Sequence, residues 1–332
     1  MVKINRSSLW GWVAASLCMV LLIFYTPSLF SQDRRTERVI SVSQFVLHPA
    51  MDALLRGFKE YLQSKDLAIR YNVHVANGDQ SVNVAIPGAV AKENPDLVLT
   101  ISTPSSQACF RSLPNSIILF SAVTDPVGAG LVEDLNKPGP NITGMTDMSP
   151  VERHIALIVD LQPKLKRLGV LYNAKETNSL SLVKLIEKEC NKRGIELIKE
   201  TIDKRESVTA SAERLVGQCD AIYVPTDNTV VAEIEAVARI CGRNRLPLYV
   251  ADVESVPRGA VVSLAIDYYS MGRQTAKMAE RILLGEKPSA IPVESLEDYR
   301  IHVNVKAAEL MGVDLPVSLL QSADVIYDSF PQ

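Results

Sequence analysis

Hydroxyl and carboxylate side chains recur at one kind of position in this 332-residue chain, just after an apolar run. Phe120-Ser-Ala-Val-Thr-Asp125 and Tyr223-Val-Pro-Thr-Asp-Asn228 both close β-rich residues with Thr-Asp, and Asp252 closely follows Pro247-Leu-Tyr-Val. Carboxylates at Asp125, Asp227 and Asp252 could hold a cation such as an ammonium group. Ser102-Thr-Pro-Ser-Ser-Gln-Ala108 offers the opposite chemistry. Hydroxyls and unpaired backbone N–H groups at a helix start, with Pro104 suited to the first turn, make a neutral anion site fit for a carboxylate. Glu176-Thr-Asn-Ser179 repeats that arrangement in the second half. Each feature alone reads equally as a helix cap or turn; together they favour a zwitterionic ligand such as an amino acid. Phe45 and Tyr172, each just after or within the first strand of its half, are candidates to face the ligand's side chain, with Tyr268 and Tyr269 at a later helix start.

Catalytic patterns are weak by comparison. His48, His74, His154 and His302 are scattered without HxxxH or HExxH, and neither GxSxG nor GxxxxGK[ST] occurs. Gly128-Ala-Gly130 begins a GxGxxG, but Glu133 stands where the third glycine belongs. The expectation is a non-enzyme with no catalytic residues, no metal and no cofactor; a hydrolase is the remote alternative. His48, beside Pro49 at a helix start, is the one histidine in a plausible cleft position, open between capping and ligand contact.

The elements that must position these residues alternate regularly. Strand patterns at 39–43, 71–75, 97–101 and 117–120 are separated by helical patterns at 49–64, 80–93 and 104–111. After the turn-rich Asn136-Lys-Pro-Gly-Pro-Asn141 the alternation restarts: strands at 167–172, 195–201, 221–224, 247–250 and 259–265, and helices at 179–193, 207–216, 229–243 and 268–284. This rhythm predicts an α/β fold of two doubly wound parallel-sheet lobes facing each other across a polar cleft. The expected division is 36–148 for the first lobe, completed by about 267–288, and 149–266 for the second, with 289–332 unassigned.

A basic start, Lys3 and Arg6, precedes an apolar stretch over 9–30, which reads as an export signal within 1–31 or a retained membrane anchor. Ser28-Leu-Phe-Ser31 puts Leu29 where a cleavage site wants a small residue, and Leu17 before Cys18 spoils a lipidation signal. The expected location is therefore the bacterial cell envelope, periplasmic or tied to the inner membrane. A formal net charge of −3 with no large basic cluster argues against a nucleic-acid partner. Cys109, Cys190, Cys219 and Cys241 show no metal-like spacing; they read as buried apolar residues, with a disulfide among the last three open.

Several of these segments resemble the substrate-binding proteins of the TrpX-type ABC transporter family. They are Ser43-Gln-Phe-Val-Leu-His-Pro-Ala50, the Ser102 segment, Ala122-Val-Thr-Asp-Pro-Val-Gly-Ala-Gly-Leu-Val132, Ile142-Thr-Gly-Met-Thr-Asp, Pro225-Thr-Asp-Asn-Thr229 and Asp267-Tyr-Tyr-Ser-Met-Gly-Arg-Gln-Thr-Ala-Lys-Met-Ala279, in order from about 38 to 328. The resemblance implies a type I periplasmic-binding-protein fold, hinge strands between the lobes, an ABC permease as partner, and an amino acid, aromatic in character, as ligand. Carried over by motif, Thr103, Ser105, Ser106, Thr124 and Asp125 would line one lobe's face, and Asn178, Ser179, Asp227, Asn228 and Asp252 the other. If 9–30 is a retained anchor, a ligand-sensing subunit signalling to a partner receptor is the alternative.

Overall fold

The computed structural model describes residues 37–65 and 67–331; the apolar stretch over 9–30 lies outside the described residues. β1 (Arg38–Gln44), β2 (Ile69–Val75), β3 (Leu97–Ile101), β4 (Ile118–Ser121) and β5 (Ile142–Thr146) form a parallel sheet in the order β2-β1-β3-β4-β5. A second sheet repeats that order as β7-β6-β8-β9-β10, from β6 (Arg167–Asn173), β7 (Glu196–Ile202), β8 (Ala221–Val224), β9 (Leu248–Val250) and β10 (Val262–Ile266). The segment left unassigned by pattern divides between them. β11 (Glu294–Ser295) pairs with β5, whereas β12 (Tyr299–Asn304) runs antiparallel to β10 and carries β13 (Val325–Tyr327). β3, β4 and β8 are buried at every residue, which is why they read as unbroken apolar runs rather than alternating ones.

One device pins strand starts three times. Asp96, Asp220 and Asp324 stand immediately before β3, β8 and β13. Each carboxylate accepts from an Arg guanidinium and from a backbone N–H at the start of the neighbouring strand. The pairs are Arg38 (2.9 Å) with Val39 N–H (2.8 Å), Arg167 (3.0 Å) with its own N–H (2.8 Å), and Arg300 (2.9 Å) with Ile301 N–H (2.8 Å). A bound donor pair at both oxygens sets the stagger of the two strands.

Helices α1 (Pro49–Gln63), α2 (Gln80–Glu93), α3 (Thr103–Ser112) and the late α9 (Tyr268–Leu283) bury apolar faces in the first lobe. The second lobe is packed by α4 (Val151–Leu161), α5 (Thr177–Lys192), α6 (Val208–Leu215), α7 (Asn228–Ala232), α8 (Ile234–Asn244), α10 (Val305–Met311) and α11 (Val317–Ser322). The return of α9 to the first lobe rests on two glycines. A Cβ on Gly57 would lie 2.2 Å from the Tyr269 carbonyl oxygen, and one on Gly272 would lie 1.9 Å from that of Leu54, so α1 and α9 touch backbone to backbone. The chain crosses between the sheets after β5, after β10 and after β11.

The single helix expected over 229–243 is two. Glu233 leaves helical geometry (φ −109°, ψ 18°), because the Arg258 guanidinium takes the carbonyls of Val231 (2.9 Å) and Ala232 (3.2 Å), which a continuous helix would use. Cys109, Cys190, Cys219 and Cys241 are all buried free thiols, so the disulfide option among the last three is not taken up.

Candidate functional site

In both sheets the strand order reverses beside the first strand, between β1 and β3 and between β6 and β8, and ligands of open α/β sheets bind outside such strand ends. The two switch points face one narrow cavity. The loops after β1, β3 and β4 contribute Val46, His48, Ser102, Thr103, Ala122 and Thr124, joined by Ala50 and Met51 of α1. The second lobe supplies Asn178, Thr226, Asp227, Asn228, Val231 and Asp252, and the crossings between lobes supply Asp147 and Tyr268.

Local backbone explains how the first lobe reaches in. Ser102 holds φ 77° and ψ 161°, and Ala122 holds φ 54°, conformations that suit glycine and cost side-chain-bearing residues about 1–3 kcal/mol each. The turn at Ser102 aims the start of α3, with Thr103, at the cavity. His48 caps α1: its Nδ1 accepts the Ala50 N–H at 3.1 Å.

Buried polar atoms are almost always paired in native proteins. Five unpaired ones belong to residues lining this cavity: His48 Nε2, Ser102 Oγ, Thr103 Oγ1, Asn178 Oδ1 and Thr226 Oγ1. They come from both lobes, and they include donors and acceptors.

The carboxylates are held differently. Asp227 is fully buried and caps α7, accepting from the N–H groups of Thr229 (3.0 Å), Val230 (2.8 Å) and Asn173 (2.6 Å) and from Ser179 Oγ (2.6 Å). Burial first, then the neighbouring charge of Glu176, push its proton affinity up against those donors. Glu176 accepts from Asn178, from the Asn228 N–H and side chain, and from the Thr229 N–H and hydroxyl. Asp147 accepts from Thr124 (3.0 Å) and Tyr268 (2.8 Å), and Asp252 from the Ser255 N–H and hydroxyl (both 2.8 Å). Burial raises both above the ordinary carboxylate range. His48 goes the other way: burial, then the Arg258 charge, lowers it to about 3. The cavity therefore has a neutral wall rich in donors on the first lobe and a carboxylate wall on the second lobe and crossings. Among the described residues, no group of three or more His, Cys, Asp or Glu side chains is placed to hold a metal ion.

Residues 39–326 match the family model for ABC transporter substrate-binding proteins. The chain belongs to this family. Its members are binding proteins rather than enzymes, and the two-lobed architecture is that of type I periplasmic binding proteins. The substrate-binding protein is 33% identical over 276 residues to a tyrosine-binding protein of Clostridioides difficile, covering 82% of this chain and 80% of that one. A Streptococcus pneumoniae ABC domain solved in complex with L-Trp is 30% identical, with a TM-score of 0.84 over 88% of this chain and all of the other. A ligand-free, open substrate-binding protein from Clostridium difficile is 33% identical over the same 88% share and its whole length, yet its TM-score is 0.66. At 30% and 33% identity, the structure as a whole thus superposes better on the relative solved with L-Trp than on the ligand-free, open one.

Of the residues expected at its site, Thr103, Thr124, Asn178, Asp227, Asn228 and Asp252 line the cavity. Six others do not. Ser105 Oγ turns inward to Asn83 (3.2 Å), and Ser106 bonds the Ser102 carbonyl and Thr100 (both 2.8 Å), because the next turn of α3 faces the core. Ser179 is spent on Asp227, and Asp125 closes the Gly128 turn (2.8 Å) and meets Ser181. Tyr172 packs into the second lobe's core, and Phe45 is buried in the first lobe's core and borders a separate outer recess. The substrate-binding protein also places Asp147, which sequence reasoning had not singled out. The signal was there, since Met145-Thr-Asp147 ends β5 with the same Thr-Asp pair.

Proposed function

We propose that this protein is the extracytoplasmic receptor of an ABC importer, delivering an aromatic amino acid to its permease. The observation that carries this reading is the convergence of unpaired buried donors and acceptors from both lobes on one cavity whose opposite wall bears carboxylates. A zwitterion complements such a cavity: its carboxylate meets the hydroxyl and imidazole wall, and its ammonium meets Asp147 or Asp252, which each accept only two hydrogen bonds, while Asp227 adds its charge. Val46, Met51, Ala122 and Val231 leave an apolar flank for the side chain. The named ligands of the two relatives, tyrosine and L-Trp, support an aromatic one. Thr103, Thr124, Asn178, Asp227, Asn228 and Asp252 are the contacts we assign, with 36–148, completed by about 267–288, and 149–266 as closing lobes and 9–30 as the segment that exports or tethers them. No helix among the described residues is long and apolar enough to cross a membrane.

A thermal-shift and calorimetry panel of L-tyrosine, L-tryptophan, L-phenylalanine, aliphatic amino acids and sugars tests the reading. A specific ligand at a hundredfold excess over its Kd stabilises by about 2.7 kcal/mol. Aromatic amino acids are expected to raise the melting temperature. A sugar that does so while every amino acid fails would overturn the assignment.

A further inference from the structure

We infer that His48, held by its own helix as the Nε2–H tautomer, is the residue that selects ligands with a free carboxylate. This rests on the amino-acid reading above and deepens it. The argument starts at the helix cap. His48 Nδ1 accepts the Ala50 N–H at 3.1 Å, and a ring nitrogen that accepts carries no proton. In a neutral imidazole the proton must then sit on Nε2. The ring stays neutral because burial and the nearby Arg258 charge hold it at about 3. Nε2 is thus a donor with one orientation, and it is buried without an acceptor on a residue only 5% exposed at the cavity wall.

Two further donors stand on the same wall. β1 and β3 are paired neighbours, so the loop carrying His48 lies beside the loop carrying Ser102 and Thr103. Their hydroxyls are unpaired, and the residues are 3% and 1% exposed. The N-termini of α1, 15 residues long, and α3, 10 residues long, open at the same strand ends. Their partial positive charge adds to the three donors. A carboxylate has about four acceptor sites and takes three donors readily, whereas a phenol oxygen has two lone pairs. A doubly charged phosphate would face Asp147, Asp227 and Asp252 across the narrow cavity with no cation of its own. An amino-acid carboxylate brings its ammonium with it.

Two substitutions separate the cap from the donor. His48→Asn keeps an acceptor at the Nδ1 position, and Asn is a strong N-cap, but nothing reaches the Nε2 position. His48→Gln returns a side-chain N–H near Nε2. Calorimetry on wild type and both variants would use L-tyrosine, L-phenylalanine and tyramine, with melting curves as the check on folding. Wild type is expected to bind both amino acids and to bind tyramine at least about a hundredfold more weakly. His48→Asn should lose about tenfold to a hundredfold in affinity for both amino acids, the range of a hydrogen bond to a charged group. His48→Gln should recover most of that loss. Unchanged affinity in His48→Asn overturns the inference alone. So does a loss confined to L-tyrosine, which would place the phenol at His48, or tyramine binding as tightly as L-tyrosine. Failure of wild type to bind either amino acid overturns the amino-acid reading and the inference with it.

Discussion

Ser181 Oγ donates to Asp125 Oδ2 at 2.8 Å, a direct hydrogen bond from α5 of the second lobe to the loop after β4 of the first. Asp125 is held in place for this bond, because its other oxygen accepts the Gly128 N–H at 2.8 Å. Gln107 on α3 makes a parallel contact, donating to Thr177 Oγ1 at 3.2 Å and to the Ala129 carbonyl at 3.0 Å. The Ser181–Asp125 and Gln107–Thr177 bonds lie off the cavity and tie the two lobes to each other whatever the ligand.

Loss of such a bond lowers the population of closed protein and weakens apparent affinity in proportion. Ser181→Ala is the clean variant, since it leaves the Asp125 turn intact. For a half-buried pair worth about 1 kcal/mol, the affinity for L-tyrosine should drop roughly fivefold. Small-angle scattering of the unliganded protein should show a larger radius of gyration. Affinity and radius both equal to wild type would mean that the contact contributes nothing to closure.

Asp227 invites a reading as a pure ligand group, with Asp227→Ala expected to spare the fold, but its bonds argue otherwise. Alanine would strand the Asn173 and Val230 N–H groups and the Ser179 hydroxyl in a buried region, while Thr229 N–H keeps Glu176. Each stranded donor costs about 1–3 kcal/mol. The expected loss is at least about 3 kcal/mol, or roughly 10 °C in melting temperature. Asp227→Asn, which keeps an acceptor, should lose less. A variant Asp227→Ala that melts like wild type would show that other groups cap α7.

What could be read in the chain, and what could not, follows from the range of the forces involved. Which residue leaves a strand is a local matter, so Thr103, Asn178, Asp227 and Asp252 could be placed at the cavity from the alternation of apolar runs and helix starts. Which way the next side chain points depends on one backbone angle. The left-handed turn at Ser102 puts Ser102 and Thr103 on the cavity and rotates Ser105 and Ser106 into the core. Phe45 and Tyr172 were lost to packing, because aromatic rings near a sheet are drawn to apolar partners that come from distant segments. The return of α9 to the first lobe depends on the meeting of Gly57 and Gly272 with backbone more than 200 residues away in both cases, a contact with no local trace.

Ser102 couples strain to binding. A serine at φ 77° and ψ 161° occupies space that belongs to glycine, at a cost of about 1–3 kcal/mol. Ser102→Gly should relieve much of this, partly offset by about 0.5–1 kcal/mol of extra backbone freedom in the unfolded chain. It also deletes the buried hydroxyl. The melting temperature should hold or rise by a few degrees while affinity for L-tyrosine falls about twofold to tenfold. Ser102→Ala removes the hydroxyl and keeps the strain, so it should lose affinity with no gain in stability. If Ser102→Gly melts well below Ser102→Ala, the strain argument fails.

Glu254 makes the fold sensitive to pH. Its side chain lies in the short turn after β9, half-buried, with Oε2 buried and unpaired. Burial, then the charges of Asp252 and Asp267, push it up to about 8. An unfolded chain releases this proton near about 4.3. Between those values the folded state binds more protons than the unfolded one, so stability falls as pH rises and levels off above 8. The slope from this one group is at most about 1.4 kcal/mol per pH unit. Glu254→Gln imitates the protonated acid at every pH. It should leave the melting temperature unchanged near pH 4 and raise it at pH 8 to 9, flattening the profile between. Melting curves at four pH values across that range decide the matter, and parallel profiles for wild type and variant would rule out Glu254 as the source.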